Sequence, residues 1–433
     1  YLEYVYQMKS EDYMLDFNIY SQGLKEVVNP SQEPELNWFL KGYRHAKSIS
    51  YENRYTEIVY QYEGDKDDYT GQGDVAEEED NLVDWIAYKQ HFFTSVLLND
   101  QPFEKAKMIS RNLVQDEDID TLYTKSFESQ IPLKFKNGEI AESMKFYFGP
   151  ADYKVLKTYD RNLDEIVPTG WGIFGWINEH IFIPFFGVLS GFLGNYGLAI
   201  ILMTIVVRIV LSPVLYKSYL SQAKMKVLRP EINEINDKHK DNAMKRQQET
   251  MALYGKTGVS PMSGCLPGLL QIPVFYALFQ FFPSAFELRQ KSFLWAEDLS
   301  SYDSIASLPF KIPFYGDHIS LFPILASIAI FFYMMMTTGQ NMQPTQPGMP
   351  NMKIIMYISP VVMLIFFNNY ASGLSLYYFI SNLITIGIML VIKTYIIDEK
   401  KILAKIEENK KKPKKKGKFA QKMQEMMKQA EEK

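Results

Sequence analysis

Hydrophobic and polar positions change their rhythm once along this chain, near Gly170. Before it, apolar residues tend to alternate. Thr56, Ile58, Tyr60 and Tyr62 fall on one face of a predicted strand; Ile131, Leu133 and Phe135 alternate with Lys134 and Lys136; Met144, Phe146 and Phe148 alternate with Ser143, Lys145 and Tyr147. A period of two residues is that of a half-buried strand. Asn137-Gly138 supplies a turn, so the last two runs predict two antiparallel strands with a modest connection. An antiparallel β-sandwich over residues 1–165 is the expectation. From Trp171 onward the alternation gives way to long apolar runs, each close to the roughly 20 residues that cross a bilayer core as a helix. They are Asn195–Lys217, Leu266–Leu288, Ser320–Thr338, Ile354–Tyr370 and Leu374–Ile397. Five such runs within about 200 residues would leave a soluble fold almost no polar surface. The predicted class is therefore multi-domain: an α-helical polytopic membrane bundle of five core transmembrane helices, within residues 195–397, preceded by the β-sandwich. Between the two parts, residues 171–193 place Trp171, Phe174, Trp176, Ile177, Ile181 and Phe182 around Asn178-Glu179-His180, the pattern of an amphipathic helix lying in the interface.

Charge orients this arrangement. The formal net charge of −4 hides an acidic part to Gly170, with about 32 acidic and 18 basic residues, and a basic remainder with about 18 and 28. Lys and Arg accumulate on the cytoplasmic side of membrane proteins. The segment Lys217–Lys256 carries about nine of them and the stretch from Lys393 about fourteen, including Lys410-Lys411-Lys412 and Lys414-Lys415-Lys416. Both are predicted cytoplasmic, the second as a basic tail over residues 398–433. The loop Arg289–Ile319 holds three basic against four acidic residues, and Ala371-Ser372-Gly373 is too short to bias anything. Alternation through five spans then puts residues 1–165 outside. A single cysteine, Cys265, rules out an internal disulfide framework, and five scattered histidines offer no ligand pair at useful spacing. The chain opens Tyr1-Leu2-Glu3-Tyr4 without Met, which reads as a fragment or a processed product.

One charge falls inside the membrane. Arg208 lies nine residues before Lys217, or roughly 14 Å at 1.5 Å per residue. Thr204 stands one turn before it and Ser212 one turn after, forming a polar stripe. An isolated arginine at a helix centre costs about 2.5–3.5 kcal/mol, and the usual remedy is a partner or a water-filled cavity. Snorkelling would have to cover most of a half-leaflet, and no other span carries an acidic residue in its core. Arg208 is thus expected to face water and to attract an external anion. Tyr378, Ser381, Asn382 and Thr385 recur at helical spacing on the last span, and Gln271 and Gln280 interrupt the second. These side chains line a wet cavity or simply join helices by hydrogen bonds; the pattern alone fits both. Met334-Met335-Met336 and the Phe-rich stretches Phe275–Phe282 and Phe366-Phe367 face lipid or core, or form a pliable apolar surface for varied guests.

Residues 218–256 show Met225, Leu228, Ile232 and Ile235 at three- to four-residue steps, a break at Pro230, then Met244, Met251 and Leu253. Two amphipathic helices in a cytoplasmic hairpin fit this. Gly255-Lys256-Thr257 is no phosphate loop, because position 250 is Thr rather than Gly. Ser221-Gln222-Ala223-Lys224 and Lys256-Thr257-Gly258 spell penicillin-binding motifs but lack the intervening Ser-Asp-Asn. The acidic stretch Glu63–Asp84 fails the calcium-loop spacing at Tyr69 and is expected as a solvated, flexible loop.

An arginine deep in the first core span is followed in order by Ser221-Gln222-Ala223-Lys224-Met225, Leu228-Arg229-Pro230, Met251-Ala252-Leu253-Tyr254, Val259-Ser260-Pro261, Gly264-Cys265-Leu266-Pro267, Gln271-Ile272-Pro273, and Ser372-Gly373-Leu374 with Tyr377-Tyr378. Over about residues 165–400 this series closely resembles the YidC/Oxa1/Alb3 membrane protein insertases, on their bacterial YidC side. The outer part is similar to the large periplasmic β-sandwich of Gram-negative members, with Phe146-Tyr147-Phe148-Gly149-Pro150 matching its last strand. Such members begin with another membrane helix and a longer periplasmic domain, so the chain is expected to lack the beginning of both.

The resemblance implies a bacterial inner-membrane protein that is not an enzyme and needs no cofactor or metal. Its five core helices would enclose a hydrophilic groove open to the cytoplasm and laterally to lipid. Arg208 matches the groove arginine, Thr204 a polar neighbour, and Tyr378 a residue that meets substrates; Ser212, Gln271, Ser381 and Asn382 complete the expected groove set. Implied partners are nascent membrane proteins, the lipid bilayer, the ribosome through the basic tail, and the Sec translocon, with no small-molecule substrate. The basic tail would equally suit anionic lipid. Two rival classes are weaker. A small-solute or ion transporter would show inverted repeats or paired broken helices, and none is visible; a membrane-anchored binding module would not need a mid-span arginine.

Overall fold

The computed structural model describes residues 1–29, 34–240, 242–259, 266–338 and 352–411. Two compact units emerge. The first comprises Tyr1–His180 with Phe279–Tyr302 and Asn369–Ala371; the second comprises the described parts of Ile181–Leu278, Asp303–Asn368 and Ser372–Lys433.

The first unit is built on ten antiparallel strands: β1 (Leu2–Met8), β2 (Met14–Ser21), β3 (Glu35–Tyr43), β4 (Glu57–Tyr62), β5 (Lys66–Tyr69), β6 (Val75–Lys89), β7 (Phe93–Asn112), β8 (Tyr123–Pro132), β9 (Phe135–Lys136) and β10 (Glu139–Pro150). They form one hydrogen-bonded sheet in the order β1-β2-β10-β7-β6-β4-β5, with β8 also on β7, β3 on β8 and β9 on β10. Two layers come out of one sheet because β6 and β7 are long enough to serve both. Phe93–Asn99 of β7 pairs with β10, whereas Lys107–Asn112 pairs with β8. Between these halves the β6–β7 register jumps from Val83↔Phe103 to Trp85↔Leu98, and extra residues on one strand bend a ladder. The fold-back sets Tyr88 of β6 against the far layer: its ring stacks on Trp38 of β3 with centroids 3.7 Å apart, and its hydroxyl donates to the Trp38 carbonyl at 2.8 Å.

The two-residue period sorts side chains into two cores. Ile58, Tyr60, Ile86, Tyr88, Leu97, Phe127, Ile131 and Phe146 fill the space between the layers. Their neighbours in sequence, Val59, Trp85, Ala87, Val96, Leu98 and Tyr147, bury the opposite face against Leu156, Leu163, Ile166 and Val167. Those four come from the short helix that follows β10 (Tyr153–Lys157) and the turn beyond it. The central strands are therefore covered on both sides, which explains why Tyr147, read as an outward position, is fully buried while Phe148 is exposed. Asn137 and Gly138 both take positive φ, 58° and 79°, and close the β9–β10 hairpin where a turn was expected. The 131–136 run, however, does not pair along its length with 144–148: β8 lies between β3 and β7.

One further expectation fails. The acidic stretch Glu63–Asp84 is not a loop but β5 and most of β6. Its ladder to β7 holds the backbone, and Lys107–Glu77 at 2.6 Å and Lys105–Glu79 at 2.8 Å are cross-strand ion pairs that offset the crowding of carboxylates.

An ion pair inside this unit yields a first prediction. Lys89 is 2% exposed and its Nζ lies 2.5 Å from Glu57 Oε1. Glu57→Gln leaves that ammonium buried without a counter-charge and is expected to destabilise the unit by about 3 kcal/mol. Adding Lys89→Met removes the orphaned charge and should recover most of the loss. Hydrogen exchange of the β4 and β6 amides measures both; equal protection in wild type and Glu57→Gln would refute the prediction.

From Ile173 on the chain is mainly helical, with α3 in the first unit and most of the later helices in the second. After α1 (Ile49–Tyr55) and α2 (Tyr153–Lys157) come α3 (Ile173–Ile177), a π-helical turn at Asn178–Phe182, α4 (Ile183–Leu193), α5 (Tyr196–Val227), α6 (Arg229–Lys238), α7 (Ala243–Thr257), α8 (Leu266–Ser284), α9 (Leu321–Thr338), α10 (Met352–Phe367), α11 (Ser372–Val391) and α12 (Glu399–Lys411). By length and composition, Ile173–Leu193, Tyr196–Val227 and Ser372–Ile396 can cross a membrane, and Leu321–Met336 and Tyr357–Phe367 are shorter apolar helices. The first of these was expected as an interfacial helix; it is apolar enough to span, although the π-turn at its middle carries Glu179 and His180. α8 is 19 residues long and contains no charged residue.

The hairpin differs in one respect from its expectation. α5 does not stop at Lys217 but runs on to Val227, so the hairpin proper is α6 and α7, and Pro230 opens α6 in its first turn instead of breaking a helix. Leu228, Ile232, Tyr254 and Val259 make a core that α12 completes with Ile402 and Ile406. Lys226–Glu399 at 2.7 Å and Lys410–Glu231 at 2.6 Å flank it. The described start of the basic tail is thus an amphipathic helix seated on the hairpin; Lys412, Lys414, Lys415 and Lys416 lie outside the described residues, as do Ser260, Pro261, Gly264 and Cys265. Between α8 and α9, an unexpected β-hairpin, β11 (Ser304–Ile312) and β12 (Gly316–Ser320), occupies the loop.

Candidate functional site

α5 starts cleanly because the Asn195 side chain accepts from the Leu198 amide. Three turns on, Thr204 and Arg208 fall on its buried face, 0% and 7% exposed. The Arg208 guanidinium reaches two other helices. Nε donates to Ser381 Oγ of α11 at 2.6 Å, Nη2 also approaches that hydroxyl, and Nη1 donates to Gln271 Oε1 of α8 at 3.0 Å. Both acceptors are neutral, and among the described residues no carboxylate pairs with Arg208. A guanidinium carries five N–H donors, and a buried charge without a counter-ion retains strong attraction for an incoming anion.

On α11, buried polar atoms stand without a partner among the described residues: Tyr378 Oη, one turn before Ser381, and Ser375 Oγ, a turn earlier still. A buried polar group that makes no hydrogen bond costs about 1–3 kcal/mol, so such groups call for water or for polar groups of a guest. Tyr378 is fixed by aromatic neighbours, with ring centroids 5.3 Å from both Phe275 and Phe367. Its hydroxyl is held in place by packing, not by a bond.

Of the seven residues singled out by sequence, Arg208, Gln271 and Ser381 are brought together by direct hydrogen bonds, and Tyr378 stands one turn before Ser381 on α11. The others bond within their own helices. Thr204 Oγ1 donates to the Ile200 carbonyl and Asn382 Nδ2 to the Tyr378 carbonyl, both at 2.7 Å. Ser212 Oγ donates to the Ile209 carbonyl at 2.7 Å. That carbonyl is the one left without an amide partner by Pro213, four residues on and inside the helix. Ser212 therefore repairs its own helix, and the proline beside it was the signal. Ser375, absent from the expected set, extends the Tyr378, Ser381, Thr385 series by one turn toward the helix start, a spacing readable in the sequence. Asn368 had no such signal: it ties the end of α10 to the β-hairpin by donating to the Tyr315 and His318 carbonyls, each at 2.9 Å.

Comparison with known proteins follows this division of the chain. A family model described as the YidC periplasmic domain matches residues 1–184, and one described as the 60Kd inner membrane protein matches residues 188–401. Proteins named membrane protein insertase YidC are similar throughout: that of Parabacteroides distasonis is 43% identical over 100% of this chain and 70% of its own length, that of Bacteroides fragilis 40% over 100% and 71%, and that of Amoebophilus asiaticus 36% over 99% and 71%. A solved structure titled "Active YidC insertase crystal structure with the first transmembrane domain resolved" covers 90% of this chain and 94% of its own, at 19% identity and a TM-score of 0.39. With both family models and these relatives in register along its length, this chain belongs to the YidC family of membrane protein insertases, bacterial inner-membrane proteins with a periplasmic β domain and apolar membrane helices.

Proposed function

We propose that the chain inserts nascent membrane proteins by passing their short polar tails through a hydrophilic groove around Arg208 and releasing their apolar segments into lipid. The observation that carries this reading is a buried guanidinium whose acceptors among the described residues are the neutral Ser381 and Gln271, near Ser375 Oγ and Tyr378 Oη, which have no partner among those residues. In hydrocarbon, every unsatisfied backbone group costs several kcal/mol. A tail that trades water for these side chains avoids most of that cost. Arg208 attracts acidic residues of the tail, and Thr204, Tyr378, Ser381 and Asn382 line its path, while Ser212 maintains the helix. Binding has to remain weak, since an interaction as strong at the start as at the barrier would not speed transfer.

In this reading residues 171–193 lie at the interface, residues 195–397 form the insertase core, the hairpin 218–256 receives substrate on the cytoplasmic side, and the basic tail contacts ribosomal RNA through phosphate attraction. The chain acts alone or beside the Sec translocon, without covalent chemistry. The transporter alternative is weaker, because the relatives similar along the whole chain are named membrane protein insertases. The test is reconstitution into liposomes with a small single-span protein bearing an acidic outer tail. Protease-protected insertion well above that of empty liposomes is expected; parity with empty liposomes would overturn the proposal.

A further inference from the structure

The β11–β12 hairpin lies wholly within the second unit and supplies none of the groove residues. Both of its ends are pinned to the start of α9. Asp303, just before β11, accepts from the Phe322 amide at 2.7 Å, and Ser320, the last residue of β12, is followed at once by α9. Its tip is held at the end of α10. Asn368, fully buried and one residue past that helix, accepts from the Ser320 amide at 3.0 Å and donates to the Tyr315 carbonyl at 2.9 Å. Five steps along a straight strand would separate those two residues by about 17 Å. One carboxamide bonds both, so the hairpin curls back and keeps its tip beside the ends of two apolar helices.

That tip is an exposed aromatic in a conformation that favours glycine. The Tyr315 amide donates to the Ile312 carbonyl at 3.1 Å, closing a turn with Pro313 at its second position and Phe314 at its third. Phe314 has a φ of 66°, where a type II turn calls for glycine and a bulky side chain is strained. The strain gains no packing within the chain, because Phe314 is 93% exposed. Apolar residues recur at every second position before it, at Leu308, Phe310 and Ile312, and the last two are exposed as well. Between Ser304 and Ser320 only Lys311 and Asp317 are formally charged, so a partner recognised by charge finds little to read here.

A strained, exposed aromatic tip held beside the ends of membrane-crossing helices fits one partner, the bilayer. On the reading that residues 195–397 form the membrane core with the loop 289–319 outside, we infer that the β11–β12 hairpin is a membrane anchor. Its tip, Pro313-Phe314, enters the outer-leaflet interface beside α9 and α10, and Phe310 and Ile312 follow it. Moving the ring and its apolar neighbours out of water favours this seat. Lys311, between Phe310 and Ile312, can bury its stem there and keep its ammonium among the lipid phosphates.

Spin labels on the full chain in liposomes test the anchor. In a Cys265→Ser background, nitroxides at Phe314→Cys, Asp317→Cys and Phe332→Cys are compared for relaxation by oxygen, which concentrates in lipid, and by a water-soluble nickel chelate. The label at 314 is expected to show a severalfold higher oxygen-to-nickel ratio than that at 317, whose side chain is 73% exposed, and to lie about 5–10 Å into the interface. Phe310→Cys repeats the measurement if a label at 314 disturbs the turn. Phe332, exposed on α9, reports on the membrane reading itself. A label there that is open to nickel would show that α9 does not cross, and the anchor would fall with it. With 332 in lipid, a 314 label as open to nickel as that at 317 would place the hairpin in water, and one shielded from both agents would mean that a protein covers the tip; either overturns the anchor.

Discussion

Arg208→Ala should cut insertion of a single-span substrate with an acidic outer tail by about thirtyfold, while Arg208→Lys keeps most of it. The magnitude follows from Coulomb attraction. Unit charges at 4 Å interact by about 4 kcal/mol at an effective dielectric of 20. A tail carboxylate passing at about twice that distance gains about 2 kcal/mol, which is about thirtyfold in rate. Lysine restores the charge but not the fork that reaches Ser381 and Gln271 together. A substrate with a neutral tail should be far less sensitive to either change. Proteoliposome insertion of paired acidic and neutral tails separates the possibilities. If Ala slows both tails equally, the arginine acts by holding α5, α8 and α11 together; if Ala slows neither, the electrostatic role fails although insertion itself stands.

Trp85→Ala should unfold much of the β unit's stability and leave insertion nearly intact. Trp85 is 1% exposed at the register jump in β6, packed with Ala87, Val96, Leu98 and Tyr147, and its Nε1 donates to Gln61 Oε1 at 3.1 Å. Truncating a buried Trp costs about 3–5 kcal/mol through lost burial and the cavity left behind, and the Gln61 acceptor is orphaned as well. Faster hydrogen exchange at Phe93–Asn99 and Met144–Pro150 measures the loss. Insertion is expected to persist because the polar atoms around Arg208 all come from the helical unit. Insertion falling in proportion to the β unit's stability would show that this unit belongs to the working machinery.

Local patterning reveals part of this fold and hides part of it. The inward faces of β4, β8 and β10 are readable at Ile58, Tyr60, Ile131 and Phe146, although of these strands β8 alone alternates along most of its length. They were misread at Tyr147, because a strand covered on both faces loses its alternation. The acidic β5–β6 stretch was unreadable for the opposite reason: much of it buries little, and its order comes from pairing to β7 across the chain. At the site, charge in an apolar run identified Arg208, and helical spacing identified Ser381. Neither indicates which of Gln271, Ser212 or Asn382 reaches the guanidinium.

The sequence by itself determined the division into a β unit and a membrane unit, the number of apolar runs, their charge-biased loops and the position of the mid-span arginine. Each is a property of composition and periodicity within a single segment. Only the tertiary structure decided that one sheet folds into two layers, that α12 closes the hairpin core, that Ser212 serves its own helix, and that Arg208 meets Ser381 and Gln271 from residues 173 and 63 positions away. Those contacts join segments whose separation along the chain carries no local signal. They are fixed by packing and by the cost of leaving buried polar groups unpaired, which are properties of the assembled fold.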